Sequence, residues 1–501
     1  MIPAPHPKTL LELIQAAPGK RTALVLSEPD LRVSYQELRD QVAAMADALA
    51  SMGIRTGDRV ATVLPNGLAA IVAVLAASTA GTAAPFNPGY REDEFSFFLA
   101  DTAARILLCL PGAEAARKAA ESRGIPVLTL EFDRAGRVRI GGARGGASAP
   151  APSPDDVALV LHTSGSTGRP KRVPILHRNL AASARSIATH YALTPGDVSV
   201  CVMPLFHVHG LVASTLSTLL SGGVVVAPSR FHPLSFWRTI RDSGATWYSA
   251  VPTIHNLLLS RAGNERPAGA AGLRFIRSCS AALPPEMMGA IERVFGVPVL
   301  EAYGMTEASH QMASNPLPPA ERKPGSVGPA AGVRLSIMDS EGNHLPAGQL
   351  GEVVVEGPNV VLGYEDNPEA NAASFTNGWF RTGDQGFLDA RGYLTLTGRI
   401  KELINRGGEK IGPREIDEVL LKHPAVAEAC AFGVPHKTWG EEVAAALVLK
   451  EPEDESAILA FCQERLAPFK CPKKLYIVKA IPHTATGKIQ RGEVAKTLTG
   501  T

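Results

Sequence analysis

The residues VALVLHTSGSTGRPK, at positions 157–171, decide how this chain folds. The five apolar residues at 157–161 predict a buried strand, and a run of Ser, Thr and Gly follows it directly. Hydroxyl and backbone N–H groups in such a turn can donate to phosphate oxygens, and Lys171 adds a cation. The turn is not a Walker A loop, because Pro170 stands where that motif requires Gly before Lys. A flexible Ser/Gly turn is the alternative, but the preceding strand and the final lysine favour phosphate binding.

On both sides of this turn, aliphatic strands alternate with helical patterns, which predicts an α/β fold with largely parallel sheets. Short strands with Gly-rich turns at 325–398 predict a β-barrel-like subdomain, and the pattern beyond is α+β. We therefore predict a large N-terminal domain of α/β sheet subdomains plus the β-barrel-like subdomain at residues 1–398. A hinge at 399–403 and a small mobile α+β C-terminal domain at 404–501 complete the prediction.

Composition restricts the classes of partner. Fifty Lys and Arg against 48 Asp and Glu leave a net charge of +2, without the basic excess of a nucleic-acid-binding protein. The six cysteines form no CxxC pair and no metal-ligand spacing with His, which indicates free thiols in a reducing compartment. The Gly/Ala/Ser/Pro-rich stretch at 135–154 predicts a flexible surface connection.

Two uncharged stretches, 67–84 and 198–229, raise the possibility of a membrane span. Proline and glycine bracket or interrupt both stretches, so buried helices and strands are the better interpretation. The N-terminus lacks the pattern of a secretory signal. We expect a cytoplasmic monomer or homodimer that binds small-molecule substrates, with no nucleic-acid and no membrane partner.

Five motifs occur in an order that resembles the adenylate-forming superfamily of acyl-CoA synthetases and AMP-dependent ligases. TSGSTGRPK at 163–171 resembles its phosphate loop, and YGMTE at 303–307 and TGD at 382–384 resemble further nucleotide-binding motifs. GRIKE at 398–402 resembles the hinge motif, and TGK at 486–488 the C-terminal lysine motif. The resemblance covers essentially the whole chain. It implies a ligase that uses ATP and Mg²⁺ to form an acyl-AMP and then transfers the acyl group to coenzyme A.

The resemblance also implies roles for individual residues. The catalytic residues would be Lys488, Thr306, Glu307 and Lys171, with Glu307 as the Mg²⁺ ligand. The ATP/AMP site would be formed by Thr163, Ser164, Gly165, Ser166, Thr167, Gly168, Lys171, Ser280, Ala281, Ala282, Glu301, Ala302, Tyr303, Gly304, Met305, Thr306, Asp384, Arg399 and Lys488. Lys401 would be the hinge, and coenzyme A would bind at Arg406, Gly407, Gly408 and Lys410.

Each of these residues also has a simpler interpretation. An Asp in a TGD turn is often solvated, an arginine such as Arg399 often forms a surface ion pair, and most lysines on a chain of 501 residues are solvated. Only the motif distinguishes Lys488 from other lysines. One departure from the family pattern is Arg172, which follows Lys171 where Gly is usual, and we expect a modest effect on the loop.

The acid pocket is expected near FHVHG at 206–210 and near the segments around 280 and 310. A fatty acid needs an apolar tunnel, whereas these segments present polar side chains, namely His207, His209, Ser278, Ser280 and His310, with Arg277 nearby. Ala302 stands where many relatives carry Gly, which would narrow the cavity. A second carboxylate is costly to bury unless it meets charge or hydrogen bonds.

Histidines beside an anion would have a raised pKa and could supply that charge. The pocket therefore predicts a small dicarboxylic acid, and the wording of these segments resembles the oxalate-activating branch of the superfamily. A malonate-activating or another short-acid ligase is the alternative. A non-catalytic nucleotide-binding relative is the hypothesis from a different class, and the presence of all five motifs argues against it.

Overall fold

The computed structural model describes residues 6–15, 17–27, 30–133, 135–142, 146–163, 170–484 and 487–500. The helices are α1 Leu10–Gln15, α2 Tyr35–Ser51, α3 Leu68–Ala80, α4 Glu92–Asp101, α5 Glu114–Glu121, α6 His177–His190, α7 Ser217–Leu220, α8 Phe236–Ser243, α9 Pro252–Ala262, α10 Pro285–Phe295, α11 Pro368–Ser374, α12 Pro413–Leu420, α13 Glu455–Gln463 and α14 Arg491–Thr499. A π-helix spans His209–Leu216, and 3-10 turns span Ala268–Gly272, Thr306–Ala308 and Ile400–Glu402.

The strands of the N-terminal region are β1 Thr22–Ser27, β2 Asp30–Ser34, β3 Arg59–Val63, β4 Thr82–Pro85, β5 Ala104–Cys109, β6 Val127–Phe132, β7 Val138–Ile140, β8 Val157–Thr163, β9 Lys171–Leu176, β10 Val198–Cys201, β11 Val224–Val226, β12 Trp247–Ala250, β13 Phe275–Ser278, β14 Val299–Met305 and β15 His310–Ser314. The remaining strands are β16 Arg334–Met338, β17 Gly351–Glu356, β18 Phe375–Thr376, β19 Trp379–Leu388, β20 Leu394–Arg399, β21 Ile404–Arg406, β22 Glu409–Ile411, β23 Val426–His436, β24 Gly440–Leu449 and β25 Lys474–Ile477.

Two mainly parallel sheets form the N-terminal body. One has the order β7-β6-β5-β3-β4-β8-β9, and the other has the order β15-β14-β13-β12-β10-β11-β1-β2. Antiparallel pairs occur only at the edges of these two sheets among the described strands. A single hydrophobic core contains side chains from both sheets, such as Val60 and Trp247, together with nearly the whole of α3. The predicted α/β fold is therefore confirmed.

The next 70 residues form a separate antiparallel sheet, in which β16, β17, β19 and β18 are neighbours and β20 pairs with the other end of β19. The sequence pattern predicted a barrel-like subdomain here. The pairings among the described strands give an open sheet. Strand β19 is ten residues long and pairs with different strands along its length.

The C-terminal region has its own sheet, in the order β22-β21-β24-β23 with β25 on β24. Helices α12 and α13 cover it, and its buried side chains, such as Ile416 and Leu447, form a core separate from that of the N-terminal body. A polypeptide unit with its own core has the anatomy of a domain. The α+β C-terminal domain predicted from the sequence is confirmed as a structural unit, while its mobility and the hinge bounds remain predictions.

The stretch at 135–154 differs from its predicted form. Val138 and Ile140 are each 4% exposed and lie in β7, which pairs antiparallel with β6. Gln41 of α2 accepts a hydrogen bond from the Val138 N–H at 2.8 Å. The prediction of a flexible connection was wrong for these residues, because a short alternation of buried and exposed side chains was hidden in a Gly-rich composition.

The first uncharged stretch folds as α3, a helix of 13 residues that is buried on all sides except at Thr79. A helix that is apolar all round belongs in the interior of a large protein. Within the part of the chain that the structure describes, no helix has the length and apolar character required to cross a bilayer.

Candidate active site

The segment predicted to bind phosphate lies between β8 and β9, which pair antiparallel. Thr163 ends β8 and lies opposite Lys171, which begins β9. The Lys171 Nζ lies 4.4 Å from the centre of the Tyr364 ring, a cation–π contact. Burial, reinforced by the positive charge of Lys401, lowers the pKa of Lys171. The predicted residues between the strands lie outside the described residues: Ser164, Gly165, Ser166, Thr167 and Gly168.

Glu307 lies beside this turn. It belongs to the 3-10 turn that follows β14, and its carboxylate is nearly buried at 6% exposure. Its Oε1 accepts a hydrogen bond from the Tyr364 hydroxyl at 2.8 Å and lies 3.5 Å from the Thr163 Oγ1. The other carboxylate oxygen, Oε2, forms no hydrogen bond with any described residue.

This carboxylate fits a magnesium site. No group of three or more His, Cys, Asp or Glu side chains that could hold a metal occurs within the described ranges. Magnesium does not need such a group, because it is commonly bound by one or two carboxylates together with substrate phosphates and water. A hard oxygen with a free lone pair beside the phosphate-binding turn satisfies this requirement.

Asp384 and Arg399 form the second part of the cleft. They face each other across the β19–β20 pair, and the Arg399 Nε lies 2.9 Å from Asp384 Oδ1. The Tyr303 hydroxyl donates to the other oxygen of Asp384. Burial, together with the negative charge of Asp384, raises the pKa of Tyr303 well above its usual value, so Tyr303 remains a hydrogen-bond donor. The structure thus brings together three of the residues predicted for the nucleotide.

The segments predicted to flank the adenine meet at the carboxyl ends of parallel strands. Residues 280–282 follow β13, and residues 301–305 form the second half of the neighbouring strand β14. Ligands of open α/β sheets bind at this edge. Gly304 is required there, because a Cβ at this position would lie 1.8 Å from the carbonyl oxygen of His310.

Glu301 has an unusual environment in this segment. Its Oε1 accepts a hydrogen bond from the Leu283 N–H at 3.0 Å, while its buried Oε2 has no partner within the described ranges. Complete burial raises the pKa of Glu301 to about 7, partly offset by the positive charge of Arg414 on α12. Glu301 therefore lies where the N-terminal body meets the C-terminal domain.

Lys488 reaches the cleft from the C-terminal domain. The preceding Gly487 has a φ of 75°, and a Cβ there would lie 3.0 Å from Val251 Cγ2 and 3.2 Å from Thr253 Oγ1. Solvent still reaches Lys488, but the surrounding protein lowers its pKa, and the positive charge of Arg399 lowers it further. Asp384 and Glu307 are near enough to oppose that change.

Two buried histidines and an arginine form the predicted acid pocket. His209 and His310 are 1% and 2% exposed, and their rings stack with 5.2 Å between centres. Ser280 Oγ lies 2.9 Å from His209 Nδ1. Arg277 is completely buried, and its Nη2 donates to His310 Nε2 at 3.0 Å. His207 is partly buried at the edge of the cluster, near enough to Lys488 for the two charges to interact.

In the protein alone, the three histidines predicted for the acid pocket have a lowered pKa. Burial lowers the pKa of His207 to about 4. Burial, followed by the positive charge of Arg277, lowers the pKa of His209 and of His310 well below the usual value. The raised pKa values expected for histidines beside an anion stay a prediction, and in the protein alone burial is the largest cause that lowers the pKa of all three rings. The pocket contains one permanent cation and neutral imidazoles.

Ser278 is the predicted pocket residue that the structure does not bring to this cluster. Arg277 pairs in register with Ser249 of β12, so these two share one face of the sheet. Because successive side chains of a strand point to opposite faces, Ser278 faces the other side, with Ala250 and Glu301. Its buried hydroxyl has no hydrogen-bond partner within the described ranges.

The residues predicted for the hinge and coenzyme A lie farther along the chain. Lys401 is exposed in the 3-10 turn that connects the two domains. Arg406 forms an ion pair with Glu442 at 2.6 Å and stacks on Trp439, whereas Gly407, Gly408 and Lys410 are exposed in the β21–β22 hairpin. All these contacts of Arg406 are within the C-terminal domain.

Sequence reasoning missed four polar residues of the site. Tyr364 holds Glu307, and Ser249, Tyr191 and Gln311 surround the Arg277 guanidinium. None of the four lies in a recognisable motif. Tyr191 lies 86 residues from Arg277 in the sequence, so only the tertiary contact could have identified it.

The sheets, the cleft between the two domains and its charged residues together define an α/β nucleotide-binding enzyme. The AMP-binding enzyme model matches residues 12–365, and the model of the AMP-binding enzyme C-terminal domain matches residues 415–488. The chain belongs to the AMP-binding enzyme family.

Relatives and solved structures cover nearly the whole chain. The chain is 46% identical to a probable CoA ligase, CCL9, of Humulus lupulus, over 97% of this chain and 95% of that protein. It is 45% identical to the oxalate–CoA ligase of Arabidopsis thaliana, over 97% of each. ATP-bound MatB from Rhodopseudomonas palustris matches with a TM-score of 0.90 and 32% identity, over 98% of this chain and 99% of that one. Apo MatB matches with a TM-score of only 0.79 at the same coverage.

Proposed function

We propose that this enzyme is an ATP-dependent oxalate–CoA ligase. In the first step, ATP and oxalate form oxalyl-AMP and pyrophosphate. In the second step, coenzyme A displaces AMP and forms oxalyl-CoA. The observation that carries the proposal is the small polar acid pocket, formed by the His209–His310 pair with buried Arg277 behind it. The 45% identity to an oxalate–CoA ligase over 97% of both chains supports the same substrate.

The nucleotide would lie along the cleft from the adenine segment to the phosphate-binding turn. Asp384 and Arg399 would bind the ribose, since the carboxylate oxygens suit a pair of hydroxyl groups. Tyr303 would lie against the adenine, and Thr306 and the 163–171 turn would contact the phosphates. Glu307 would hold Mg²⁺, which supplies charge neutralisation at the phosphates when bound.

The first step joins two anions. A carboxylate oxygen of the acid attacks the α-phosphorus of ATP, the new P–O bond forms, and pyrophosphate leaves with the electron pair of the broken bond. Such a reaction depends mainly on positioning and charge neutralisation. Lys488 and Lys171 would supply positive charge from opposite sides of the cleft, one from each domain. This structure resembles the ATP-bound form of MatB more closely than the apo form, which supports the same arrangement.

The second step needs a different surface beside the acyl-adenylate. The sulfur of coenzyme A attacks the carbonyl carbon, its proton is lost to solvent, and AMP leaves with the electron pair of the broken C–O bond. Arg406 and Lys410 with the adjacent glycines lie on a hairpin that contacts only its own domain here. We propose that rotation about Lys401 brings this hairpin to the cleft and withdraws Lys488.

The pocket favours a short acid with a second anionic group. Ser280, His209 and His310 present polar atoms, and Arg277 provides a positive potential. Burial of an acyl chain against such groups would leave them without partners, which is unfavourable. Malonate or another short acid is the alternative, because the same polar groups could receive a slightly longer molecule.

The test is ATP–pyrophosphate exchange with oxalate, malonate, sulfoacetate and acetate, followed by AMP release with and without coenzyme A. We expect oxalate to give the highest kcat/KM and AMP release to require coenzyme A for turnover. Equal or higher activity with malonate or acetate would overturn the oxalate assignment. Absence of exchange with every acid would instead favour the non-catalytic relative.

A further inference from the structure

Arg277 is a buried cation without a carboxylate partner. It is 0% exposed, and none of the ion pairs among the described residues includes it. Its guanidinium donates to four neutral groups: the Tyr191 hydroxyl at 2.9 Å, Ser249 Oγ at 3.0 Å, His310 Nε2 at 3.0 Å and Gln311 Oε1 at 3.1 Å. An unpaired charge is expensive to bury. The protein therefore retains this charge where an anion would relieve the cost.

The donors of Arg277 determine where the protons of the neighbouring groups lie. A guanidinium can only donate hydrogen bonds. His310 Nε2 must therefore accept, and a neutral His310 carries its proton on Nδ1. The His310 Nδ1 has no hydrogen-bond partner within the described ranges, so this N–H is available to a ligand.

A second chain of hydrogen bonds runs through Ser249. Because its Oγ accepts from Arg277, the Ser249 hydroxyl proton can be donated to His209 Nε2 at 2.7 Å. A neutral His209 then carries its proton on Nδ1 and donates to Ser280 Oγ at 2.9 Å. This leaves the Ser280 hydroxyl proton free to point away from His209. Both chains thus start at Arg277 and end on an outward donor.

Both end residues have unusual backbone conformations. Ser280 has a φ of 73° and His310 a φ of 112°, and a positive φ is uncommon for residues other than glycine. Strained residues of this kind are retained where the surrounding structure holds them, and they concentrate at ligand-binding sites. Ser280 follows β13 and His310 begins β15, the strands on either side of β14, and both side chains contact His209.

We propose that Arg277 is a positioning residue that fixes these protons, so that the acid pocket presents only donors to the second carboxylate of a small dianionic acid. Arg277 acts through Ser249, His209 and Ser280 on one side and through His310 on the other. The proposal rests on the proposed function and deepens it, because it specifies how the second anionic group is recognised. An acid without that group would not be bound more tightly because of this arrangement.

The groups facing the two imidazoles are consistent with neutral rings. Arg277, His255, His207 and Lys488 act on His209, and Arg277, His209 and Lys488 act on His310. All of them oppose a second positive charge. Replacement of Arg277 removes one of these cations and also frees the acceptor nitrogen of His310.

The first experiment compares Arg277→Met with the wild type, using oxalate and acetate as substrates. We expect the KM for oxalate to rise about tenfold or more, with a much smaller change for acetate. Arg274→Met is the matched control, because Arg274 precedes the same strand and pairs with Asp197 outside the pocket. An unchanged ratio of oxalate to acetate kcat/KM in Arg277→Met would overturn the proposal.

The second experiment determines the tautomers of His209 and His310 by NMR. In ligand-free wild-type protein labelled with ¹⁵N-histidine, NMR should show His209 and His310 as neutral Nδ1–H tautomers, assigned by His209→Asn and His310→Asn. Ser249→Ala should change the tautomer of His209 while that of His310 stays. Nε2–H tautomers in the wild type would overturn the proposal even if Arg277→Met does not fold. Failure of the wild type to activate any dianionic acid would refute the proposed function, whereas the tautomers test the inference separately.

Discussion

At the scale of single residues, the cleft brings several charged side chains close to one another. Lys171 and Lys488 both have a lowered pKa, because the surrounding protein replaces part of their hydration and because other cations lie near them. The negative charges of Asp384 and Glu307 partly oppose this change at Lys488, and that of Glu307 opposes it at Lys171. A cleft arranged in this way has a net attraction for polyphosphate, although the whole chain carries a net charge of only +2.

Replacement of Lys488 should separate the two half-reactions. Lys488→Ala removes a cation from the adenylation arrangement, and we expect adenylation to fall by about 10²–10³-fold. Thioester formation from supplied acyl-adenylate should be largely retained. ATP–pyrophosphate exchange and CoA-dependent AMP release from synthetic adenylate measure the two steps. Lys496→Ala, an exposed lysine on α14 of the same domain, is the control. Similar losses in both steps would contradict the role.

At the scale of elements, the strand after the phosphate-binding turn is fixed by an arginine that departs from the family pattern. Arg172 of β9 meets Glu365 at 2.9 Å, Asp101 of α4 at 3.4 Å and Asp366. Asp101 is 5% exposed, and it also lies 3.1 Å from His162. The arginine thus connects the hairpin to α4 and to the segment that follows Tyr364.

Loss of this network should destabilise the hairpin. Arg172→Met keeps the aliphatic stem but leaves Asp101 and Glu365 with fewer partners. We therefore expect the free energy of unfolding to fall by about 1–3 kcal/mol. The apparent melting temperature should fall by about 1–3 °C. Arg105→Met is the control, because Arg105 is 59% exposed in its pair with Asp58, and an exposed pair contributes little. An equal effect of the two substitutions would show that the Arg172 network does not stabilise this element.

At the scale of the whole molecule, the contact between the domains depends on a buried carboxyl group. Glu301 has a pKa of about 7 because it is completely buried, and Arg414 and Glu418 of α12 are its charged neighbours. We call the present arrangement of the domains closed and the one after the proposed rotation about Lys401 open. If the open arrangement exposes Glu301, its carboxyl group is protonated in both arrangements below its ordinary pKa. Between that value and about 7 the closed arrangement holds a proton that the open one has lost. The closed arrangement therefore becomes less stable as the pH rises through this window. Above the window, the full free-energy cost of burying the ionised Glu301 carboxylate remains.

This dependence can be measured by fluorescence energy transfer between the domains. All six native cysteines are buried, so dyes can be attached selectively at cysteines introduced for Arg241 and Lys496. We expect the closed population to fall as the pH rises from 4.5 to about 7 in the wild type, and to remain flat in Glu301→Gln. Glu286→Gln is the control, since Glu286 is 57% exposed in its pair with Lys422 across the domain contact. The same decrease in Glu301→Gln would refute the role of Glu301.

The sequence by itself determined the class of fold, and it predicted the residues that we propose for the nucleotide cleft. Five charged residues of the cleft lie in short motifs, namely Lys171, Glu307, Asp384, Arg399 and Lys488. A motif can be recognised from the sequence because its residues are neighbours in the chain. The alternation of strands and helices is also local, so it predicted the largely parallel α/β fold. The strand β7 was missed because only Val138 and Ile140 mark it in a Gly-rich stretch.

Only the tertiary structure decided the character of the acid pocket. Strand register places Arg277 beside Ser249 and sends Ser278 to the opposite face, and register depends on contacts between distant segments. The same contacts set the charge of the pocket, since burial, followed by the positive charge of Arg277, lowers the pKa of His209 and of His310. Motifs determine which groups are present, but packing decides which of them carry a charge and which donate a proton.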